Sequence, residues 1–250
     1  MYSVTQRIRS IKQPYGGFIK VKEFSKTILC DSSMLFPNEN ISASLVGMAV
    51  DYLTRFMMGS AISDAFHISL LGAKCAHEEK NAQLLLSGIT GLDNDSIINT
   101  CKIVGYDVCY RAGMIAYKPV QEINPNSETI DNIRTLVNRC LAFWKIHGPI
   151  VSDGFTFDGG YTDIISSGDG DYLTKDTLWD FKVSKEAPKS NHTLQLLVYY
   201  IMGCHSTHKE FEEIKKLGIF NPRLNTIYLL DIESIDTNII HKVSSEVIGY

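Results

Sequence analysis

The sequence contains no Cys-x-x-Cys pair. Its six cysteines, Cys30, Cys75, Cys101, Cys109, Cys140 and Cys204, are scattered along the chain. A zinc ribbon or a disulfide framework is therefore not expected, and cysteines within apolar helical patterns read as reduced, buried thiols of a cytoplasmic protein. Long apolar runs are also missing. The longest, from Leu194 to Cys204, falls well short of the ~20 residues that a bilayer-spanning helix needs, so no membrane partner is expected. The first residues lack the apolar stretch of a secretion signal. There is no Walker A loop, no His-Glu-x-x-His and no Gly-x-Ser-x-Gly, which argues against a fused helicase, a zinc protease and a serine hydrolase. No internal repeat or low-complexity linker interrupts the chain.

The 250 residues suffice for one substantial domain. A net charge of −4 excludes a uniformly basic nucleic-acid binder, but a carboxylate-rich site subtracts charge that a bound cation restores. The charge is uneven. Between Met1 and Lys22 the only charged side chains are Arg7, Arg9, Lys12, Lys20 and Lys22, a basic leader that is either a solvated segment or a phosphate contact.

Residues 1–36 read as irregular or short-strand structure. Residues 41–58 form a helical pattern capped by Asn40 or Ser42, and helical patterns continue to about His147. Asp95 or Ser96 can cap the helix that follows them, and Ser127-Glu128 opens a long one that Gly148-Pro149 stops. After Pro149 the segments become short, β-branched and aromatic. Three strands are expected, within 150–159, 161–168 and 177–184, followed by a helix over 192–203 and a second over 211–217, with Gly218 past its end. A fourth strand is expected at 225–232. The class is α/β, with a mixed central sheet and a helical elaboration N-terminal to it.

Within the third strand lies Trp179-Asp180-Phe181-Lys182. On a strand, Asp180 and Lys182 share one face while Trp179 and Phe181 share the other. If the second and third strands form a hairpin looped near 168–175, pairing Asp163 with Asp180 gathers Asp163, Asp180 and Lys182 on one face. Two carboxylates facing each other repel. They are tolerated around a divalent cation, for which oxygen ligands favour Mg²⁺ or Mn²⁺, and a neighbouring lysine can orient a water and stabilise charge on a phosphate. The alternative is a surface hairpin with a solvated ion pair. In the next helix Gln195 and Tyr199 are four apart and share a face. Asp169 and Asp171 mimic the first ligands of a calcium loop, but Thr174 stands where that loop needs glycine, so 168–175 reads as a plain hairpin loop.

Gly160-Tyr161-Thr162-Asp163, then Asp180-Phe181-Lys182, then Gln195-x-x-x-Tyr199 resembles the PD-(D/E)XK nuclease superfamily, in particular its RecB-like branch. The resemblance covers about 149–232. It implies a restriction-endonuclease-like core, α-β-β-β-α-β, in a single nuclease domain: a basic segment at 1–40, a mainly helical part at 41–148 and the sheet core at 149–250. It implies Asp163, Asp180 and the Phe181 main-chain carbonyl as metal ligands. Asp51, four residues after Gly47, would complete the set, although Arg55 offers it an i,i+4 ion pair instead. Lys182 would activate water, Gln195 would support Lys182 or the phosphate, and Tyr199 would brace the site. The products would be a 5′-phosphate and a 3′-hydroxyl. Lys185, Lys189 and Arg223 are candidate substrate contacts. Only Cys204 follows the motifs, so the iron–sulfur cluster held by several relatives is not expected. DNA is preferred over RNA as the partner, and protein partners from a repair, defence or mobile-element system would fit. The competing reading is a non-catalytic nucleic-acid-binding or adaptor protein on the same fold.

Overall fold

The computed structural model describes residues Met1–Tyr250 and shows an α/β protein built on a mixed six-stranded sheet. The chain divides into two compact units. Residues 1–30 and 144–250 form one unit, and residues 31–143 form the other. No helix is long and apolar enough to cross a membrane.

The helical unit contains α2 (Ala43–Met57), α3 (Ile62–Ala65), α4 (His67–Cys75), α5 (Glu79–Ser87), α6 (Asn94–Ile103), α7 (Asp107–Ala112) and most of α8 (Ser127–His147). Ser42 caps α2 by accepting the Leu45 N–H. The cap of α6 is Asp93 rather than Asp95 or Ser96. Its carboxylate takes both the Ser96 N–H and the Ser96 hydroxyl, satisfying an otherwise unpaired first-turn donor. The buried Asp107 carboxylate accepts the Tyr52 and Ser69 hydroxyls, each at 2.5 Å. Arg139 forks onto Asp31 at 2.6 and 3.0 Å, tying the start of this unit to α8.

The sheet unit takes both ends of the chain. Residues 1–36, expected to be irregular or short-strand structure, hold two short strands and also a helix, α1 (Val4–Ser10), with Ser3 and Gln6 forming a capping box. β1 (Tyr2–Ser3) pairs with β4 (Ile165–Ser167) as a separate two-stranded element. The main sheet has the order β2 (Ser25–Ile28), β8 (Thr226–Asp231), β7 (Lys216–Asn221), β6 (Thr177–Phe181), β5 (Gly170–Leu173) and β3 (Ser152–Phe155). Neighbours are antiparallel except β6 and β7, which run parallel. Parallel neighbours need a crossover, and α9 (Ser190–Cys204) supplies it. A short α10 (Thr237–Lys242) follows the sheet.

Both faces of the sheet are covered. On one, Leu173, Leu178, Leu217 and Ile219 pack with Leu194, Leu197 and Val198 of α9 and with Val4 and Ile8 of α1. On the other, Phe181 stacks on Trp144 from the end of α8, with ring centroids 5.1 Å apart, and Tyr172 packs against both. The expected helix over 211–217 is not formed. Phe211 and Ile214 are buried from a single 3₁₀ turn, and the chain then enters β7, where Gly218 lies under the Trp179 ring.

Candidate functional site

The hairpin that carries Asp180 is formed by β5 and β6, with a loop at Thr174–Asp176. Tyr172 pairs with Trp179 and Leu173 with Leu178. Continued by one residue, that register sets Asp171, not Asp163, opposite Asp180. The Phe181 N–H donates to Asp171 Oδ2 at 2.8 Å, holding one carboxylate against the other strand. The segment expected to be the hairpin loop is thus largely a strand. Its turn lies further on, where the Thr174 N–H reaches the Thr177 carbonyl at 3.0 Å and the Trp179 indole donates to Thr174 Oγ1 at 3.2 Å.

Asp163 lies outside any strand, exposed, in a bend. The cause is local. Thr162 Oγ1 accepts the N–H groups of Ile164 and Ile165 and donates to the Ile248 carbonyl, while the Thr162 N–H donates to the Ile165 carbonyl. These bonds close a side-chain turn around Asp163 in place of a sheet ladder. Glycine makes the alternative pairing feasible: a Cβ on Gly170 would sit 2.3 Å from the Phe155 ring of the neighbouring strand.

Asp180 is 2% exposed, near the end of a parallel strand, where open α/β sheets commonly bind ligands. The face expected to be open to solvent is therefore closed over this residue. Its Oδ1 accepts the Lys182 ammonium at 2.7 Å, whereas its Oδ2, equally buried, has no hydrogen-bond partner. Burial works against the charged form of Lys182, but the Asp180 and Asp171 carboxylates outweigh it, so the ammonium titrates above the ordinary lysine value.

α9 closes the site. Gln195 Nε2 donates to the Tyr199 hydroxyl at 3.0 Å, and the Tyr199 ring stacks on Phe157. Burial first, then the charges of Asp171 and Asp180, push the phenol upward, so it stays protonated. Gln195, expected to support Lys182 or the phosphate, is half-buried, and its Nε2 also lies 3.5 Å from the Thr5 hydroxyl at the head of α1.

Asp51 belongs to the helical unit, where it bonds Arg55 at 3.2 Å. Lys185 is exposed in the loop after β6, and Lys189, also exposed, pairs with Glu186. Arg223, which from the sequence either contacts DNA or closes a turn, is buried in the β7–β8 turn, with its main-chain N–H donating to Asn221 Oδ1 at 3.0 Å. No three His, Cys, Asp or Glu side chains group closely enough to hold a metal ion between them.

The structure pairs Asp180 with Lys182 and Gln195 with Tyr199, and it draws in two residues that were given no site role from the sequence, Asp171 and His192. Asp171 was legible, since Gly168-Asp169-Gly170-Asp171 repeats the Gly-x-x-Asp spacing. His192 carried no motif. It is recognised only by its place on α9, three residues before Gln195. No family model, no curated protein and no solved structure matches the chain.

Proposed function

We propose that this protein is a metal-dependent nuclease that hydrolyses phosphodiester bonds, with Asp171, Asp180 and Lys182 at its centre. The observation that carries the reading is the orphaned Asp180 Oδ2. A buried, partnerless carboxylate oxygen costs about 1–3 kcal/mol, more when charged, and Asp171 opposite adds repulsion. A divalent cation relieves both. Mg²⁺ is commonly bound by one or two carboxylates together with waters and substrate phosphates, so two aspartates suit it without a third acidic side chain. The Phe181 main-chain carbonyl, between Asp180 and Lys182, is the further oxygen donor that the family resemblance suggests.

A bound Mg²⁺ or Mn²⁺ would supply Lewis-acid polarisation of the phosphate and lower the pKa of a water. Lys182, held charged by both carboxylates, orients the attacking water and offsets the negative charge that grows on the phosphate. Gln195 and Tyr199 brace the opposite wall, and the neutral phenol adds no charge of its own. DNA is the preferred substrate, and the exposed lysines after β6 are suited to contacting its backbone.

The test is incubation of the full chain and Lys182→Ala with Mn²⁺ and single- and double-stranded DNA and RNA. Cleavage by the wild type that requires metal, and its loss in Lys182→Ala, supports the reading. Intact substrates in every case, or undiminished cleavage by Lys182→Ala, would refute it.

A further inference from the structure

His192 lies on the first turn of α9, three residues before Gln195 and seven before Tyr199, so the three side chains form one stripe along the helix. That stripe runs beside the charged ends of β5 and β6. Tyr199 feels Asp171 and Asp180 at one end, and His192 feels Lys182 and Asp180 at the other. The ring is half-buried and anchored: its Nδ1 accepts the Lys189 N–H at 3.1 Å, closing the start of the helix. A ring nitrogen that accepts this bond carries no hydrogen, so the neutral imidazole bears its proton on Nε2. Burial, then the Lys182 charge, holds the ring below the ordinary histidine value, which keeps it neutral near pH 7. The backbone anchor thereby fixes the tautomer and leaves one uncharged donor on the helix face that Gln195 and Tyr199 share. Such a donor can bind a phosphate oxygen without competing with the cation for Asp180.

We propose that His192 donates its Nε2–H to a non-bridging oxygen of the substrate phosphodiester, beside Lys182. The proposal rests on the nuclease reading above.

The test compares His192→Ala and His192→Gln in single-turnover cleavage of a labelled single-stranded oligonucleotide with Mn²⁺. A glutamine at this third helical position can accept the Lys189 N–H and still present an amide N–H. Removing one preorganised donor typically slows turnover a hundredfold or somewhat more, so His192→Ala is expected to lose on the order of 10² in rate while His192→Gln keeps most of it. Thermal midpoints report the helix cap separately. Nitrogen-15 spectra of the wild type should show the Nε2-protonated ring, with that resonance moving when oligonucleotide is added. If the wild type cuts and His192→Ala cuts equally fast, or His192→Gln is as slow as His192→Ala, the inference fails and the nuclease reading stands. A ring protonated on Nδ1 also overturns it. A wild type inert towards both DNA and RNA removes the nuclease reading and this inference with it.

Discussion

Lys182 and Asp180 are two residues apart on one strand, and their ion pair sits over a carboxylate that is almost wholly buried. Removal of the lysine leaves Asp180 Oδ1 without the ammonium that donates to it, a change that typically costs roughly 1–3 kcal/mol for a partly exposed pair. Lys182→Ala should lower the urea midpoint accordingly, and Mn²⁺ should restore part of the loss by binding the folded state. The sign of the pH dependence follows from the raised lysine. Its contribution is whole below the ordinary value of 10.5 and fades as pH rises through the higher folded-state value. The gap between wild type and variant should therefore stay level from about pH 6 to 9 and narrow only in stronger alkali; narrowing near neutrality would contradict the pairing. Asp180, Lys182, Gln195 and Tyr199 were legible because fixed periods, two on a strand and four on a helix, decide which side chains share a face. The acidic partner was not, because register depends on where the turn falls. Thr162 makes a side-chain turn around Asp163 that a period of two does not reveal.

At the scale of elements, the chain around Gly218 shows how packing overrides a local pattern. Phe211, Ile214 and Leu217 recur every three residues and so read as one side of a helix. In the protein the first two are buried from a 3₁₀ turn and its exit, while Leu217 opens β7, whose residues are buried on both faces. A strand buried on both sides shows a continuous apolar run rather than alternation, which cannot be told from a helix by period alone. Gly218 admits the close approach: a Cβ there would stand 2.3 Å from the Trp179 ring. Gly218→Ala should thus destabilise the sheet unit by about 1–3 kcal/mol through overpacking, measured by urea denaturation. A neutral result would mean that the Trp179 ring can move aside. β5 was hidden for a related reason. Its glycine and aspartate have low strand propensity, yet Gly170 fits under Phe155 and Tyr172 packs against Trp144.

On the scale of the whole molecule, the α/β class and the succession of helical and sheet-forming regions were readable from composition and pattern. The division into units was less so, because the sheet unit is assembled from both ends of the chain. Residues 1–30 supply α1 and the edge strand β2, and the helical unit lies between them and the rest in sequence. The six cysteines are free thiols. Cys30, Cys75 and Cys204 are exposed, whereas Cys101, Cys109 and Cys140 are buried. Burial pushes the Cys101 and Cys140 thiols up to about 12. A thiol-reactive reagent should therefore modify the first three in the native protein and the other three only after denaturation. Rapid reaction of all six without denaturant would contradict the fold.

The central claim is that Asp171 and Asp180, brought opposite each other by the β5–β6 register, hold the cation. Its most direct measurement is Mn²⁺ titration by calorimetry of the wild type, Asp171→Ala, Asp180→Ala and Asp163→Ala, each checked for a retained fold by circular dichroism. Binding should be present in the wild type and in Asp163→Ala and lost in the other two. Binding that survives Asp171→Ala but disappears in Asp163→Ala would contradict the account and return the site to the other register.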